Sequence, residues 1–255
     1  MKILNRSLVA CLAGGWLLVT AGSGATVRDG DAALERFDLD AALAAYQAAH
    51  AADPNDYEAA WKLARAYSDK GTLTRNRAAE VQLFTQAETA ARAAVRLKEN
   101  DATGHTYLAI AVGKRALFEG GKRQVELSKE VKEEAARAVQ LNPREDLAYH
   151  VLGVWNREMV QLNWMLKKFA ELLYGKFPAA SLENAVTYLE RAAELAPDRV
   201  AHHVELGNSY VAARKWQKAD AAFARAISMP KSWVSDDYYK DQAKEKLTRV
   251  KRHLP

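Results

Sequence analysis

One short pattern of small and apolar residues recurs along most of this chain, and it limits the possible fold more than any other feature. Its clearest copy lies in residues 200–230, at Leu206, Gly207, Tyr210, Ala219, Phe223 and Ala226. Gly207 and the two alanines leave room for two helices to approach closely, and Phe223 can fill the space between them. The pattern therefore predicts a pair of packed helices in this segment.

This spacing follows the tetratricopeptide pattern, a helical hairpin repeated along a chain. Earlier copies are marked by Ala42, Tyr46 and Ala49; by Leu63, Ala64, Tyr67, Ala87, Ala91 and Ala94; by Leu108, Ala109 and Ala138; and by Leu152, Gly153, Ala185, Leu189 and Ala192. Stacked hairpins form a curved solenoid with a concave face. We therefore expect residues 26–255 to form an all-α, tetratricopeptide-like helical-hairpin solenoid of about five units, with elongated repeats and a C-terminal capping helix.

Three of the units are longer than an ordinary repeat. Ala219 follows Gly207 by 12 positions in the last unit, whereas Ala185 follows Gly153 by 32 positions in the fourth. The extra residues of the fourth unit place an apolar face at helical spacing, formed by Leu162, Met165, Leu166, Phe169, Leu172 and Leu173. We expect one unbroken helix from about Asp146 to Tyr174. Its apolar face either packs on its neighbours or covers the mouth of the groove.

The first 25 residues have the composition of a secretory signal peptide. A basic start with Lys2 and Arg6 precedes the 15-residue apolar run Ser7–Ala21, and small residues follow at Ser23 and Ala25. We expect cleavage near Ala25 and an exported protein, periplasmic or secreted. An uncleaved anchor is the alternative, although the run is shorter than the ~20 residues that span a bilayer.

Cys11, the only cysteine, lies inside that apolar run. Lipid modification of Cys11 is a further alternative, but most of the apolar core follows the cysteine instead of preceding it. Residues 26–255 contain no thiol for a disulfide, a thiolate metal site or a cysteine nucleophile.

Charge and motifs exclude several other classes of function. The net charge of +5 falls to +3 without Lys2 and Arg6, and no arginine-rich or basic-aromatic stretch occurs, so we expect no nucleic-acid partner. His202 and His203 are adjacent and lie on different faces of a helix, and no other histidine pair has a zinc-ligand spacing. Without a glycine-rich phosphate loop or a nucleophile elbow, we expect no metal, no cofactor and no enzymatic activity.

The residues after Pro230 read as a final polar and basic helix with Ser235 as its cap. Such a helix usually covers the last apolar face of a solenoid. A membrane-binding basic helix is the alternative.

Residues 150–197 combine a tryptophan, a lysine pair, an apolar helix, a Gly-Lys-x-Pro turn and an alanine-rich helix, at Trp164, Lys167, Lys168, Gly175, Lys176, Pro178, Ser181 and Ala185. This combination resembles the regulator-of-microtubule-dynamics family, and weaker similarity extends from about Ala102 to Arg252. The resemblance implies a compact tetratricopeptide-like fold with a cavity. One mitochondrial member of that family is a membrane-contact tether whose repeat domain binds and transfers phospholipids, and other members are linked to microtubules.

The chain departs from the family pattern in three ways. It begins with the expected export signal, it shows no long coiled-coil or tethering segment, and Leu166 stands where relatives often carry an acid. Microtubule binding is therefore not expected of an exported protein, whereas a lipid-sized cavity is compatible with these differences.

In such repeats, three positions of each first helix face the groove. They predict a wall of Trp61, Arg65, Ser68, Thr106, Ile110, Gly113, His150, Val154, Arg157, Val204, Asn208 and Val211. The ligand-binding candidates among them are Trp61, Arg65, Ile110, His150, Val154, Arg157, Asn208 and Val211. Arg65 and Arg157 would bind a phosphate or carboxylate, unless they pair with Asp69 and Glu158 at the surface. Lid and headgroup candidates on the inserted helix are Trp164, Met165, Lys167, Lys168 and Phe169.

Two hypotheses of different class follow. The first is a binding module whose concave cavity holds an apolar ligand with an acidic head, a phospholipid or fatty acid, with at most transient membrane association. The second is a protein-interaction scaffold whose groove holds a peptide or a partner helix. A closed apolar cavity favours the first hypothesis, and an open polar channel favours the second.

Overall fold

The structure is a computed structural model that describes residues 25–176 and 179–254. These residues form twelve α-helices and a final 3-10 turn: α1 (Val27–Glu35), α2 (Leu39–Ala52), α3 (Tyr57–Leu73), α4 (Arg77–Leu97), α5 (Ala102–Ala116), α6 (Gly121–Leu141), α7 (Asp146–Gln161), α8 (Trp164–Tyr174), α9 (Leu182–Leu195), α10 (Val200–Ala212), α11 (Trp216–Ser228), α12 (Asp236–Val250) and η1 (Lys251–His253). The described ranges contain no β-strand. The all-α prediction is confirmed.

The helices pack as five antiparallel hairpins and a terminal cap. The hairpins are α1–α2, α3–α4, α5–α6, α7–α9 and α10–α11, and α12 packs on both helices of the last one. Ala243 and Val250 of α12 are buried against this final hairpin. The predicted solenoid with elongated repeats and a C-terminal capping helix is therefore confirmed.

Small residues set the distance between paired helices. A methyl group built on Gly153 of α7 would lie 2.5 Å from Leu189 Cγ and 3.0 Å from the Ala185 carbonyl oxygen of α9. A methyl group built on Gly207 of α10 would likewise lie 2.5 Å from the Phe223 ring of α11. These backbones approach as closely as the sequence pattern predicted.

The predicted unbroken helix from Asp146 to Tyr174 is wrong. α7 ends at Gln161, Leu162 leaves the helical conformation, and the extended Asn163 caps a new helix by accepting a hydrogen bond from the Leu166 N–H at 3.0 Å. Asparagine favours this capping position because its side chain satisfies a free N–H of the first helical turn. The break lets α8 leave the direction of α7 and pack on α6.

Most of the apolar face of α8 packs on its neighbours, as one of the two alternatives predicted. Ala170 is buried, and Leu166, Phe169 and Leu173 pack against the main core. Tyr174 lies at the end of α8, and its hydroxyl is 3.0 Å from the Ser128 hydroxyl of α6.

The predicted signal peptide, including Cys11, and Pro178 of the family-like turn lie outside the described residues. Both the export signal and the lipid-modification alternative therefore stay predictions. Within the described ranges, no helix combines the length and apolar character required to cross a membrane.

The Gly153→Ala substitution should destabilise the fold by about 1–3 kcal/mol, as expected for overpacking. The new methyl group would meet both a branched side chain and a backbone carbonyl, neither of which can move easily. Urea denaturation followed by circular dichroism measures the change. Gly120→Ala is the matched control, because nothing lies within 4 Å of a methyl group built there. Equal stability of the two variants would contradict close packing at Gly153.

Candidate functional site

A cavity of about 360 Å³ lies on the concave side of the stack. Its wall comes from α3, α5, α7 and α10, with α6 on one side and the segment that leads into α12 on the other. Much of the wall is apolar, including Ile110, Leu147, Val151 and Val154. The volume and the apolar lining fall within the range of sites that bind small molecules or inserted side chains.

Five of the eight predicted ligand-binding residues line this cavity: Arg65, Ile110, His150, Val154 and Arg157. Ser68 and Gly113 of the wider predicted wall also line it. Thr106 and Val204 are instead buried in the packing between helices.

The other three predicted ligand-binding residues lie outside the cavity. Trp61 stacks on Tyr107, with ring centres 5.7 Å apart. Asn208 accepts a hydrogen bond from Lys246 Nζ at 2.8 Å, and Val211 packs in the core beneath α12. The capping helix covers the end of the groove, and the groove positions of the last repeat are therefore closed to a ligand.

Arg157 is already neutralised by two carboxylates. Its Nη1 lies 2.7 Å from Glu205 Oε2, and its Nη2 donates to Glu158 Oε1 at 3.1 Å. Burial by itself would raise the pKa of Glu205, but the charge of the Arg157 guanidinium and the hydrogen bonds from Asn208 and Arg157 act together against burial and lower that pKa to about 2. The predicted alternative of pairing with Glu158 is found, and Glu205 is a second partner that the sequence did not indicate.

Arg65 is held between two aromatic rings. Its guanidinium carbon lies 5.4 Å from the ring centre of Trp61 and 4.8 Å from that of Trp233. Trp233 donates its indole N–H to Asp69 at 3.1 Å, which joins the C-terminal segment to α3 across the concave side. Burial raises the pKa of Asp69 to about 6, although the positive charge of Arg65 opposes this shift.

Lys114 is a cation of the cavity that the groove pattern missed. It lies on α5 beside the cavity and makes no hydrogen bond or ion pair with any described residue. The neighbouring Tyr239 raises the pKa of Lys114 by more than burial lowers it, so the ammonium stays charged. Lys114 follows Ile110 by four positions and therefore lies on the same face of α5. Extending the predicted groove positions by one helical turn from Ile110 would have identified it.

A buried hydrogen-bonded chain runs from Asp146 to the cavity. Asp146 Oδ2 lies 2.8 Å from His202 Nε2, and His202 Nδ1 lies 2.9 Å from His150 Nδ1. Arg199 also donates to Asp146, at 3.0 Å. His202 is fully buried, whereas His150 belongs to the cavity wall. We call Asp146, His202 and His150 the histidine relay.

Asp146, at one end of the histidine relay, determines which ring nitrogen of His150, at the other end, carries the proton. Asp146 accepts only, so His202 carries its proton on Nε2 and its neutral Nδ1 is an acceptor. His150 must therefore donate from Nδ1, which leaves its Nε2 as an acceptor. Burial lowers the pKa of His150 to about 3, and the ring is neutral near pH 7. Nε2 of His150 has no hydrogen-bond partner among the described residues.

The cavity wall thus presents the Lys114 ammonium as a donor and His150 Nε2 as an acceptor, and Arg65 Nε is a further buried donor without a hydrogen-bond partner in the described residues. In the described part of the chain, no group of three or more His, Cys, Asp or Glu side chains is arranged to hold a metal ion. The arrangement suits binding of an apolar group that carries both an acidic group and an N–H or O–H donor.

None of the five lid candidates lines the cavity. Trp164 and Met165 are exposed, and Lys168 lies over the Trp164 ring at 5.4 Å. Lys167 is half-buried, and Phe169 packs on the core beneath the ammonium of Lys122. Leu162, immediately before α8, reaches the cavity wall instead.

A family model described as "Regulator of microtubule dynamics protein 1-3" matches residues 26–251. Regulator of microtubule dynamics protein 1 of Mus musculus is 25% identical over 198 residues, which cover 77% of this chain and 65% of the mouse protein. Regulator of microtubule dynamics protein 3 of Mus musculus is 30% identical over 165 residues, covering 62% of this chain and 35% of that protein. The chain therefore spans less than two thirds of the length of these relatives.

Among solved structures, a thermophilic TPR protein from Thermus thermophilus superposes with a TM-score of 0.61. The match covers 86% of this chain and 97% of the other, at 19% sequence identity. This likeness shows the tetratricopeptide-like fold.

The histidine relay predicts a pH dependence of stability. Because the folded-state pKa of His150 lies well below the unfolded value of about 6.5, the unfolded chain binds more protons below that pH. The contribution of His150 to the free energy of unfolding is fully present above about pH 6.5 and is lost as the pH falls below that value. Between pH 7.5 and pH 5, the free energy of unfolding should therefore fall by about 1–2 kcal/mol less in the His150→Gln variant than in the unaltered protein.

Denaturant unfolding at a series of pH values measures this difference. His203→Gln is the control, since His203 lies outside the relay and contacts the Pro197 carbonyl. The raised pKa of Asp69 makes its contribution to stability increase as the pH falls, opposite to that of His150. Asp69 is present in both proteins, so this contribution cancels when their pH profiles are compared. Parallel pH profiles for the unaltered protein and His150→Gln would contradict a neutral buried His150.

Proposed function

The chain belongs to the regulator of microtubule dynamics family, and we propose that it is a binding module whose cavity holds a short apolar segment of a partner protein. One observation carries this proposal: an apolar cavity on the concave face of a repeat stack offers both the Lys114 ammonium and the His150 Nε2 acceptor. A polypeptide segment carries matching groups, a carboxylate for the lysine and backbone N–H groups for the histidine.

The size of the cavity restricts how such a segment binds. About 360 Å³ lies near the lower end of the range for ligand sites, so one or a few side chains, or a chain terminus, would enter it. A whole helix with side chains is about 10–12 Å wide and would remain outside. The expected partner sequence has bulky apolar residues next to an acidic residue or a free C-terminal carboxylate.

The internal ion pairs support recognition by Lys114 instead of Arg157. Arg157 is already paired with Glu205 and Glu158, and moving it to a ligand would leave the largely buried Glu205 carboxylate unpaired. Lys114 has no such partner in the described residues, so a ligand carboxylate would gain a charge-assisted hydrogen bond without breaking an existing one.

The second candidate is a phospholipid or fatty acid. The apolar wall and the ammonium of Lys114 favour it, and the resemblance to the lipid-binding mitochondrial member points the same way. An ionised fatty acid has no donor for His150 Nε2, whereas a lipid headgroup with a hydroxyl or ammonium group has one. The hydrogen-bond requirement of His150 therefore favours a peptide over a simple fatty acid.

The Lys114→Gln variant tests the proposed function. A random peptide library displayed with free C-termini should yield acidic, apolar sequences that bind the unaltered protein. Binding of a selected peptide, measured by fluorescence anisotropy, should weaken by about tenfold or more in Lys114→Gln, as expected for a hydrogen bond to a charged group. Lys218→Gln is the control, because Lys218 is exposed and does not line the cavity.

Native mass spectrometry and solvent extraction of the same purified protein separate the two candidates. A stoichiometric co-purified phospholipid or fatty acid that the selected peptide cannot displace would favour the lipid. Absence of any enriched peptide, or equal peptide affinity of Lys114→Gln and the control, would refute the peptide proposal.

A further inference from the structure

Three large apolar side chains are exposed on one helix, α8. They are Trp164, Met165 and Leu172, with exposed fractions of 68%, 60% and 81%. Phe37 and Leu117 are the other large apolar side chains exposed in the described residues. Clustered exposure of this kind marks an interaction surface more often than isolated exposure does. We call Trp164, Met165 and Leu172 the α8 patch.

The contacts of α8 explain why its three patch residues face outward. Trp164 and Leu172 are eight positions apart on the helix, and Met165 follows Trp164, so all three share one face. The opposite face is occupied by the packing on α6 and the core. The start of α6 meets the packed face of α8, since a methyl group built on Gly121 would lie 3.0 Å from Leu166. The patch is therefore fixed by the fold.

Positive charges surround the α8 patch. Four lysines on or beside α8 make no ion pair with a described residue, Lys122, Lys167, Lys168 and Lys176, and α8 itself carries one carboxylate, Glu171. Arg123 of the same region is paired with Glu126 at 2.9 Å. Lys168 lies over the Trp164 ring at 5.4 Å, and Lys122 lies over the Phe169 ring at 5.6 Å. The ammonium groups are thus held beside the aromatic rings of the same edge.

We propose that the α8 patch docks this protein on an anionic lipid bilayer. Tryptophan favours the boundary between headgroups and acyl chains, and an amphipathic helix that lies in this boundary buries its apolar face there. Lysines beside such a helix strengthen binding to an anionic surface by about fivefold each. Docking is peripheral, because the patch is one face of a helix whose other face belongs to the core.

Charge decides between a bilayer and a second copy of the chain. Pairing of two α8 patches would bring two sets of these four lysines together, and like charges across an interface disfavour association. An anionic bilayer matches both the apolar side chains and the surrounding cations. This docking is independent of the proposed occupant of the cavity, because none of Trp164, Met165 and Leu172 lines the cavity.

Vesicle co-sedimentation tests the proposal with phosphatidylcholine vesicles and with vesicles that also contain about 30% phosphatidylserine. The chain beginning at Ala25 is compared with the full chain, because the apolar run Ser7–Ala21 would itself bind vesicles. Circular dichroism first verifies that the shorter chain is folded. We expect binding to the anionic vesicles at least tenfold stronger than to the neutral ones, and weaker binding in high salt.

Two double variants remove the apolar contribution and the charge contribution to binding separately. Trp164→Ser combined with Leu172→Ser, and Lys167→Glu combined with Lys168→Glu, should each weaken binding to anionic vesicles by about tenfold or more. Phe37→Ser is the control for the first variant, and Lys215→Glu combined with Lys218→Glu is the control for the second. Both controls should bind within about twofold of the unaltered protein.

Three results would overturn the proposal. They are no binding of the folded chain to anionic vesicles, equal loss in test and control variants, and sedimentation equilibrium showing a dimer that the Trp164 and Leu172 changes abolish. Lys114→Gln should bind vesicles like the unaltered protein, so failure of the cavity proposal and failure of this one are distinguishable.

Discussion

Four of the five hairpins depend on the same contact, in which a glycine of the first helix faces a large side chain of the second. The pairs are Gly30 with Tyr46, Gly71 with Phe84, Gly153 with Leu189 and Gly207 with Phe223. Because glycine lacks a side chain, the two backbones approach closely and the large side chain fills the interval. The contact is looser between α5 and α6, where a methyl group built on Gly113 would lie 3.7 Å from Val131. Stacking of the hairpins aligns α3, α5, α7 and α10 as one inner wall, and the cavity is the concave side of that wall.

The repeat could be predicted from sequence because its signal is local. Gly207 and Phe223 are 16 positions apart, and Gly30 and Tyr46 have the same separation in a unit that the pattern identified only by its second helix. The partners of the cavity charges could not be predicted, since Arg157 meets Glu205, 48 residues away in the chain, and Asp69 meets Trp233, 164 residues away. Such pairs depend on how the solenoid curves, which the spacing within one repeat does not specify.

The break between α7 and α8 shows where periodicity misleads. The apolar positions Leu162, Leu166, Phe169 and Leu173 keep helical spacing through the break, so they predict one helix. Asn163 nevertheless caps a new helix, because its side chain accepts from the Leu166 N–H and its carbonyl oxygen accepts from the Lys167 N–H. The extra residues of the fourth unit therefore form a second layer on α6, and they leave the α8 patch on the surface instead of closing the cavity.

The internal pairing of charges leaves the cavity with few groups that can recognise a ligand. Arg157 is neutralised by carboxylates and gains little from a further anion, whereas Arg65 is enclosed by two tryptophan rings and keeps a buried Nε without a hydrogen-bond partner in the described residues. Lys114 keeps a free ammonium, and His150 keeps a free acceptor whose direction is set by Asp146 at the far end of the relay. A ligand without a matching donor or acid would leave one of these polar groups unsatisfied, at a cost of about 1–3 kcal/mol. The apolar wall can therefore supply much of the affinity, while the polar groups that the fold leaves without partners decide which apolar ligands are accepted.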